Sequence, residues 1–156
     1  MKYRRRLGFA LVATAVIMAS PLAAQPAQPA PTPYKLGIVT FLSGAAAGPF
    51  GVPARNAAEL LVEALNAGKL PAPYDKKGIN GSPIETVIVD EAGGTTKQVT
   101  EYRNLVQRQN VDAVIGYISS GDCLAIAPLA DELKKITIFF DCGTPRVFED
   151  ANYKYL

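Results

Sequence analysis

The sequence contains no histidine and only two cysteines among its 156 residues. Without histidine, neither a Ser-His-Asp nor a Cys-His catalytic arrangement can be built within the chain. A zinc site loses its commonest nitrogen ligand, and two thiolates are too few for a structural site. The glycines at 93–94 and 116–121 spell neither a dinucleotide-binding nor a phosphate-binding loop. These absences predict a protein that is not an enzyme and holds no metal or cofactor; a flavodoxin-like or hydrolase-type enzyme is the disfavoured alternative.

The chain also lacks an excess of basic residues outside its first few positions. The formal net charge is +2, and four of the positive charges are Lys2 and Arg4 to Arg6. The remainder therefore carries a net charge of about −2, with no basic stripe and no interleaved aromatic residues. This distribution argues against a nucleic-acid partner.

The basic start is followed by a short apolar run, which is typical of a secretory signal peptide. The run from residue 7 to residue 19 is too short to span a bilayer, and small residues surround a plausible cleavage point after Ala24. We predict a signal peptide at 1–24, export to the periplasm and no stable membrane insertion after cleavage; a retained membrane anchor is the alternative. Residues 25–33 contain four prolines and are predicted to form an extended spacer.

The stretch from Val111 to Cys123 organises the rest of the chain. Residues 113–115 are apolar on both faces, as in a central parallel strand, and Gly116 allows a tight turn after it. Ser119 and Ser120 then stand at the mouth of a helix, past the carboxyl end of the strand, where open α/β sheets bind ligands. Free N–H groups at a helix start suit an anion such as a carboxylate. The competing interpretation is that the two serines and Asp122 only cap the helix.

Strand and helix patterns alternate along the remainder and predict an α/β fold with a doubly wound parallel sheet. Strands are expected at 35–41, 84–90, 113–115 and 136–140, and an eleven-residue loop at 42–52. Helices are expected from Pro53, from Thr95 or Thr96, and over 122–135, where Pro128 requires either a later start near Ala125 or a bend. Residues 148–156 are predicted to be a polar-aromatic tail outside the alternation. The positions predicted to face inward on the three helices are Ala57, Ala58, Leu61, Val62 and Leu65; Val99, Tyr102, Leu105, Val106 and Gln109; and Leu124, Ile126, Ala127, Ala130 and Leu133.

Two short segments stand out together: Ile115-Gly116-Tyr117-Ile118-Ser119-Ser120 and, further on, Asp141-Cys142-Gly143-Thr144-Pro145. Their order and spacing resemble the branched-chain amino acid binding proteins, the periplasmic substrate-binding subunits of ABC importers with a type I binding-protein fold. Residues 36–44 also resemble the first strand and ligand loop of that family, and residues 87–98 resemble its second strand and the start of the next helix. The resemblance covers residues 34–156.

The resemblance implies a set of ligand-binding residues. It implies that Ser120 and Thr144, beside Ser119, bind the carboxylate of the ligand, and that the backbone near Cys142 and Gly143 accepts its amino group. Further possible ligand-side residues are Ser43, Asp122 and Asp141. The family often has proline at position 141 and alanine at position 142, so the ligand class stays open between a branched-chain amino acid, an amide, and an aromatic or hydroxylated acid. The alternative for the acidic residues Glu91, Asp122 and Asp141 is a solvated loop charge or a helix cap.

The family has two lobes that close on the ligand and then dock on an ABC permease. The present chain matches only the first part of lobe 1, so we interpret residues 34–156 as a truncated substrate-binding domain. The alternative function is the ligand-sensing domain of a receptor or regulator with the same fold, because fold alone does not specify function.

The two cysteines follow the carboxyl ends of strands that we expect to be neighbours. Export would carry Cys123 and Cys142 to an oxidising compartment. Neighbouring strands lie about 4.8 Å apart, and a disulfide tolerates Cα separations of about 4.4–6.8 Å. The geometry therefore permits a disulfide between Cys123 and Cys142, with two free thiols as the alternative.

Overall fold

The computed structural model describes residues 31–156, in which strands and helices alternate along the chain. In chain order the elements are β1 (Tyr34–Thr40), α1 (Val52–Ala67), β2 (Ile84–Asp90), α2 (Thr95–Gln107), β3 (Ala113–Gly116), α3 (Ser120–Glu132), β4 (Thr137–Phe139) and α4 (Arg146–Glu149). The predicted signal peptide and most of the predicted spacer lie outside the described residues. Within residues 31–156, no helix is both long enough and apolar enough to cross a membrane.

The four strands form one parallel sheet in the order β2-β1-β3-β4. The chain moves from β1 to β2 in one direction, then crosses back over β1 to β3 and on to β4. Because parallel crossovers are right-handed, this reversal places α1 on one face of the sheet and α2 and α3 on the other. In agreement, α2 packs against α3, whereas α1 packs against β1 and β2. The predicted doubly wound α/β architecture is confirmed.

The sheet face under α2 and α3, hereafter the covered face, holds the hydrophobic core. Val39 and Val114 point from the strands into this core and are fully buried. The helices contribute a set of side chains with almost no exposed surface: Tyr102, Leu105, Ile126, Ala127 and Ala130. These positions agree with the predicted inner faces of α2 and α3. Gln109, however, is exposed because α2 ends at Gln107, so its predicted inward position is wrong.

The opposite sheet face, hereafter the bare face, includes Ile115, Ile136, Ile138 and Phe140, and α1, which lines a cavity with Ile115 and Phe140, covers it only in part. Three of these side chains are substantially exposed, namely Ile136 (58%), Ile138 (51%) and Phe140 (43%). Helix α1 itself has no buried residue. Leu61, predicted to face inward, is 51% exposed, so α1 covers the sheet less completely than its hydrophobic periodicity predicts.

Two helix starts differ from the expectation. Residues 47–51, predicted to be part of a loop, form a π-helical turn that leads directly into α1 at Val52. Helix α3 begins at Ser120, two residues before the predicted start, and Pro128 lies inside it. Pro128 is exposed, and it removes one backbone hydrogen bond from the helix without ending it.

The segment after α4 is integrated into the fold and is not the separate tail predicted from its composition. The N–H of Thr137 donates to the carbonyl of Tyr155 over 2.8 Å. The N–H groups of Lys154 and Tyr155 both donate to the carboxylate of Asp131, and Leu156 packs against the core. These contacts place the end of the segment beside the edge strand β4.

Candidate functional site

The carboxyl ends of the four parallel strands lie at one edge of the sheet, and the loops that leave them form the candidate site. Helix α3 begins at this edge directly after β3. The side chain of Ser119 accepts a hydrogen bond from the N–H of Asp122 over 3.4 Å, so Ser119 is the N-cap of α3. The capping interpretation is therefore correct for the Ser119 hydroxyl.

Ser120 is placed differently from Ser119, although the two are adjacent. It is the first residue of α3, and its half-buried hydroxyl faces the loop after β4: a Cβ atom added to Gly143 would lie 3.5 Å from Ser120 Oγ. Among residues 31–156, the N–H groups of Ser120 and Gly121 donate no hydrogen bond. Two N–H groups and one hydroxyl are therefore free at the start of this helix.

The loop after β4 brings the remaining predicted residues to the same edge. Thr144 is half-buried, and its hydroxyl accepts a hydrogen bond from the N–H of Arg146 over 3.4 Å. A disulfide joins Cys142 to Cys123 in the first turn of α3, with a Cα–Cα distance of 6.3 Å. This bridge fixes the loop of Thr144 against the helix start that carries Ser120. Asp141, in contrast, is exposed.

The turn between β3 and α3 is made by Tyr117 and not by the glycine before it. Tyr117 has a φ of 68°, a left-handed conformation that is uncommon for a bulky residue. Gly116 is required for another reason: a Cβ atom there would overlap the carbonyl of Val39 on the adjacent strand. The Tyr117 side chain is fully buried and meets Phe139 edge to face, with ring centroids 5.8 Å apart.

Glu91, at the end of β2, is fully buried and bonded to this turn. Its carboxylate accepts the N–H of Ile118 over 2.9 and 3.0 Å and the N–H of Ser119 over 2.7 Å. Burial raises the pKa of Glu91, and these two N–H groups oppose that increase without cancelling it. The sequence analysis allowed Glu91 a solvated loop or capping role, and the solvated alternative is wrong. An apolar strand ending in Asp-Glu was the only sequence signal for it.

Asp122 is also buried, with 3% of its surface exposed, so a solvated role for it is wrong as well. Its carboxylate accepts a hydrogen bond from the hydroxyl of Thr95 over 2.7 Å, which links α3 to the start of α2. Because this carboxylate is turned into the protein, Asp122 does not face the groups left free at Ser120 and Gly121.

Asp90 fixes the loop that follows β1. Its carboxylate accepts the hydroxyl of Ser43 over 2.6 Å and the N–H groups of Leu42 and Ala92 over 2.8 and 3.0 Å. Burial raises the pKa of Asp90, but the hydrogen bonds outweigh it and lower the pKa to about 2. The Ser43 hydroxyl is thus engaged in holding its own loop.

The structure therefore brings Ser119, Ser120, Cys142, Gly143 and Thr144 together, whereas the Asp122 carboxylate is bonded to Thr95 and Asp141 is exposed. The free donors are hydroxyl and N–H groups at a helix start, a combination that binds a carboxylate or another small anion. In the described part of the chain, no three histidine, cysteine or acidic side chains are grouped to hold a metal ion.

Comparison with known proteins agrees with this architecture. The sequence profile described as "Periplasmic binding protein" matches residues 33–154. No curated protein sequence matches significantly. Among solved structures, the branched-chain amino acid transporter substrate binding protein LivJ of Streptococcus pneumoniae, in complex with isoleucine, is 26% identical with a TM-score of 0.66. The match covers 78% of the present chain and 32% of LivJ.

Two further solved structures share the fold. The leucine binding protein LivK of Thermotoga maritima is 21% identical, with a TM-score of 0.61 over 78% of this chain and 31% of LivK. A solute binding protein of an ABC transporter from Rhodopseudomonas palustris, in complex with 3,4-dihydroxybenzoic acid, is 21% identical, with a TM-score of 0.59 over 77% of this chain and 30% of that one. The present chain thus spans about a third of the length of these relatives. With the profile match over residues 33–154, the parallel sheet establishes that the chain belongs to the periplasmic binding protein family, type I.

Proposed function

We propose that this chain belongs to the solute-binding subunit of an ABC importer and binds a small amino acid, amide or related carboxylate in the periplasm, without catalysing a reaction. The observation that carries the proposal is the start of α3. Within residues 31–156, the N–H groups of Ser120 and Gly121 and the Ser120 hydroxyl donate no hydrogen bond, and this hydroxyl lies beside the Gly143 loop. Donors without partners at a helix start are suited to the carboxylate of a ligand.

The ligand class follows from what surrounds these donors. Ser120 and Thr144 supply hydroxyl groups from two loops, and the backbone at Cys142 and Gly143 supplies further polar atoms on the other side of the same opening. LivJ holds isoleucine, and a second solute binding protein of Rhodopseudomonas palustris, distinct from the one described above, holds 4-hydroxybenzoate. Both compounds carry one carboxylate on an apolar body, which is the chemistry that one helix start with two hydroxyls would select.

Binding of these two compounds to the purified chain tests the proposal. Titration calorimetry with isoleucine and with 4-hydroxybenzoate should give saturable heat for at least one of them. Ser120→Ala should weaken that binding by about 10- to 150-fold, since a hydrogen bond to a charged group contributes about 1.5–3 kcal/mol. Ser82→Ala, in the turn before β2 at the opposite edge of the sheet, is the matched control and should leave the affinity unchanged. No binding of either compound, or an equal loss in both variants, contradicts the proposal.

Export and the permease partner are parts of the same proposal. The apolar run at 7–19 behind a basic start supports a signal peptide, and family membership supports a periplasmic location. Expression of the full chain, followed by mass spectrometry of the periplasmic fraction, should give a protein that begins at Gln25. A chain that starts at Met1 and stays with the membrane contradicts the cleavage.

We also infer that residues 34–156 are the first part of lobe 1 and that further polypeptide of the same lobe covers the bare face. The inference is supported by Ile136, Ile138 and Phe140, whose exposed apolar side chains line one contiguous surface. Large exposed apolar patches are uncommon on a finished domain. The DNA after the Leu156 codon should continue as an open reading frame through a second lobe. A stop codon there, with the chain accumulating as a folded monomer, contradicts the inference.

A further inference from the structure

The turn before Ser120 contains a residue in an energetically unfavourable backbone conformation. Tyr117 adopts a φ of 68°, and a side chain in this region costs about 1–3 kcal/mol unless the surroundings maintain it. The buried ring against Phe139 secures the side chain, but its hydroxyl has no hydrogen-bond partner among the described residues. The side chain therefore supplies packing and no polar anchor, and the backbone of the turn must be held by another group.

Glu91 is the group that contacts this backbone. One carboxylate takes the N–H groups of two consecutive residues, Ile118 and Ser119, immediately after the left-handed residue. Both backbone polar groups of Glu91 are also hydrogen-bonded. Its N–H donates to the carbonyl of Thr40 over 2.9 Å, and its carbonyl accepts a hydrogen bond from the Gln98 side-chain amide over 2.7 Å. A rigid strand end thus reaches across 27 residues of sequence to the helix start.

We propose that Glu91 is the positioning residue of the candidate site, holding the turn so that the free N–H groups of Ser120 and Gly121 and the Ser120 hydroxyl point toward the ligand. The inference about ligand affinity rests on the proposed function; the inference about the turn does not. Glu91 has no exposed surface and cannot touch the ligand itself.

The direction in which Glu91→Gln changes ligand affinity distinguishes a positioning role from a purely electrostatic effect. The Glu91 charge lies close to a helix start that would receive an anion, so removing only its charge would strengthen the binding of a carboxylate. Glu91→Gln also disturbs the geometry: the glutamine oxygen can replace Oε1, which accepts both N–H groups, but its NH₂ group then stands in place of Oε2 and faces the Ile118 N–H, donor against donor. If Glu91 positions the turn, Glu91→Gln weakens the binding of a carboxylate; if it is only a nearby charge, the same variant binds more tightly.

Amide hydrogen exchange measured by NMR tests the turn without any ligand. In the Glu91→Gln variant, exchange at Ile118 and Ser119 should accelerate about tenfold, whereas exchange at Val114 in β3 should not change. Asp112→Asn is the matched control, since the carboxylate of Asp112 accepts the N–H of Lys35 over 2.8 Å at the opposite end of the sheet. It should leave the two turn amides unchanged. Unchanged exchange at Ile118 and Ser119 in the Glu91 variant, or equal acceleration at Val114, overturns the proposal.

A second measurement uses the unmodified chain and covers the case in which the variant does not fold. The amide proton shifts of Ile118 and Ser119 should follow the titration of the Glu91 carboxyl group observed by ¹³C NMR. The other ionisable groups that influence Glu91 are Asp122 from α3 and Asp90 from its own strand end. Amide shifts that follow either of those two carboxyl groups, and not Glu91, overturn the proposal.

Ligand titration completes the test. If the unmodified chain binds isoleucine or 4-hydroxybenzoate, Glu91→Gln should weaken that affinity about tenfold, and tighter binding overturns the positioning role. If the unmodified chain binds neither compound while the exchange result holds, the proposed function fails and the role of Glu91 in holding the turn stands. The two failures are therefore distinguishable.

Discussion

The two faces of the sheet are built from the same kinds of residue but reach different states. On the covered face, α2 and α3 bury Tyr102, Leu105 and Ile126 almost completely. On the bare face, α1 buries none of its own residues, and Ile136 and Ile138 keep half or more of their surface exposed. Apolar residues are therefore buried most completely where helices lie side by side over the strands. On the bare face, burial is confined to the centre of the sheet, as at Ile38, and does not extend to β4.

A pair of identical substitutions on opposite faces tests this difference most directly. Ile126→Thr should lower the free energy of unfolding by about 2–4 kcal/mol, because it leaves a cavity and buries a hydroxyl without a partner. Ile138→Thr should change it by less than about 0.5 kcal/mol, because the side chain is already 51% exposed. Urea denaturation of residues 25–156 measures both. Comparable losses in the two variants would show that the bare face is part of the core.

The disulfide ties the end of β4, the edge strand, to α3 on the covered face. Replacing Cys123 and Cys142 together with alanine should lower the free energy of unfolding by about 3 kcal/mol, since the bridge closes a loop between residues 19 apart. Amide exchange should accelerate more in β4 than in β1. Urea denaturation of the unmodified chain with a reductant should reproduce the loss. A reduced chain with unchanged stability would contradict this role.

Asp90 supports the loop that leads to α1 and so belongs to the side of the bare face. Its folded-state pKa of about 2 lies below the usual 3.8, so its contribution is present above pH 4 and is lost as the pH falls toward 2. The effect should be about 1 kcal/mol, because solvent screens this carboxylate. Asp90→Asn should flatten the acid limb of the stability–pH curve in thermal scans. Parallel curves for the two proteins would refute the assignment.

The smallest effect should come from a buried hydroxyl on the covered face. Tyr102 and Thr137 share a hydrogen bond of 2.7 Å between their hydroxyl groups. Tyr102→Phe should cost about 1 kcal/mol or less, since the Thr137 hydroxyl keeps a second partner in the carbonyl of Lys135. Thermal denaturation against a Tyr74→Phe control, at an exposed position, measures the difference. If Tyr102→Phe lowered the free energy of unfolding more than Ile126→Thr does, the expectation that core packing contributes more to stability than this hydrogen bond would be wrong.

The order of strands and helices and the family could be predicted from the sequence, because these depend on local periodicity and on short motifs. Alternating apolar segments predicted the parallel sheet, and the position of Ser119 and Ser120 after β3 predicted where the candidate site lies. The inner faces of α2 and α3 were also predicted correctly at Tyr102, Leu105 and Ile126. Each of these features follows from residues that are close together in the chain.

Which polar groups form hydrogen bonds and which apolar surface is buried could not be predicted, because both depend on contacts between segments that are distant in the chain. Glu91 reaches Ile118 and Ser119 because β1 separates their strands by a fixed distance, and no local pattern encodes that distance. The left-handed residue of the turn is Tyr117, not Gly116. Position 116 needs a glycine for a different reason, which is that the Val39 backbone on the adjacent strand leaves no space for a Cβ atom. The physical reason is common to both: hydrogen bonds and close packing depend on separations across the sheet, whereas periodicity reports only which side of an element is apolar.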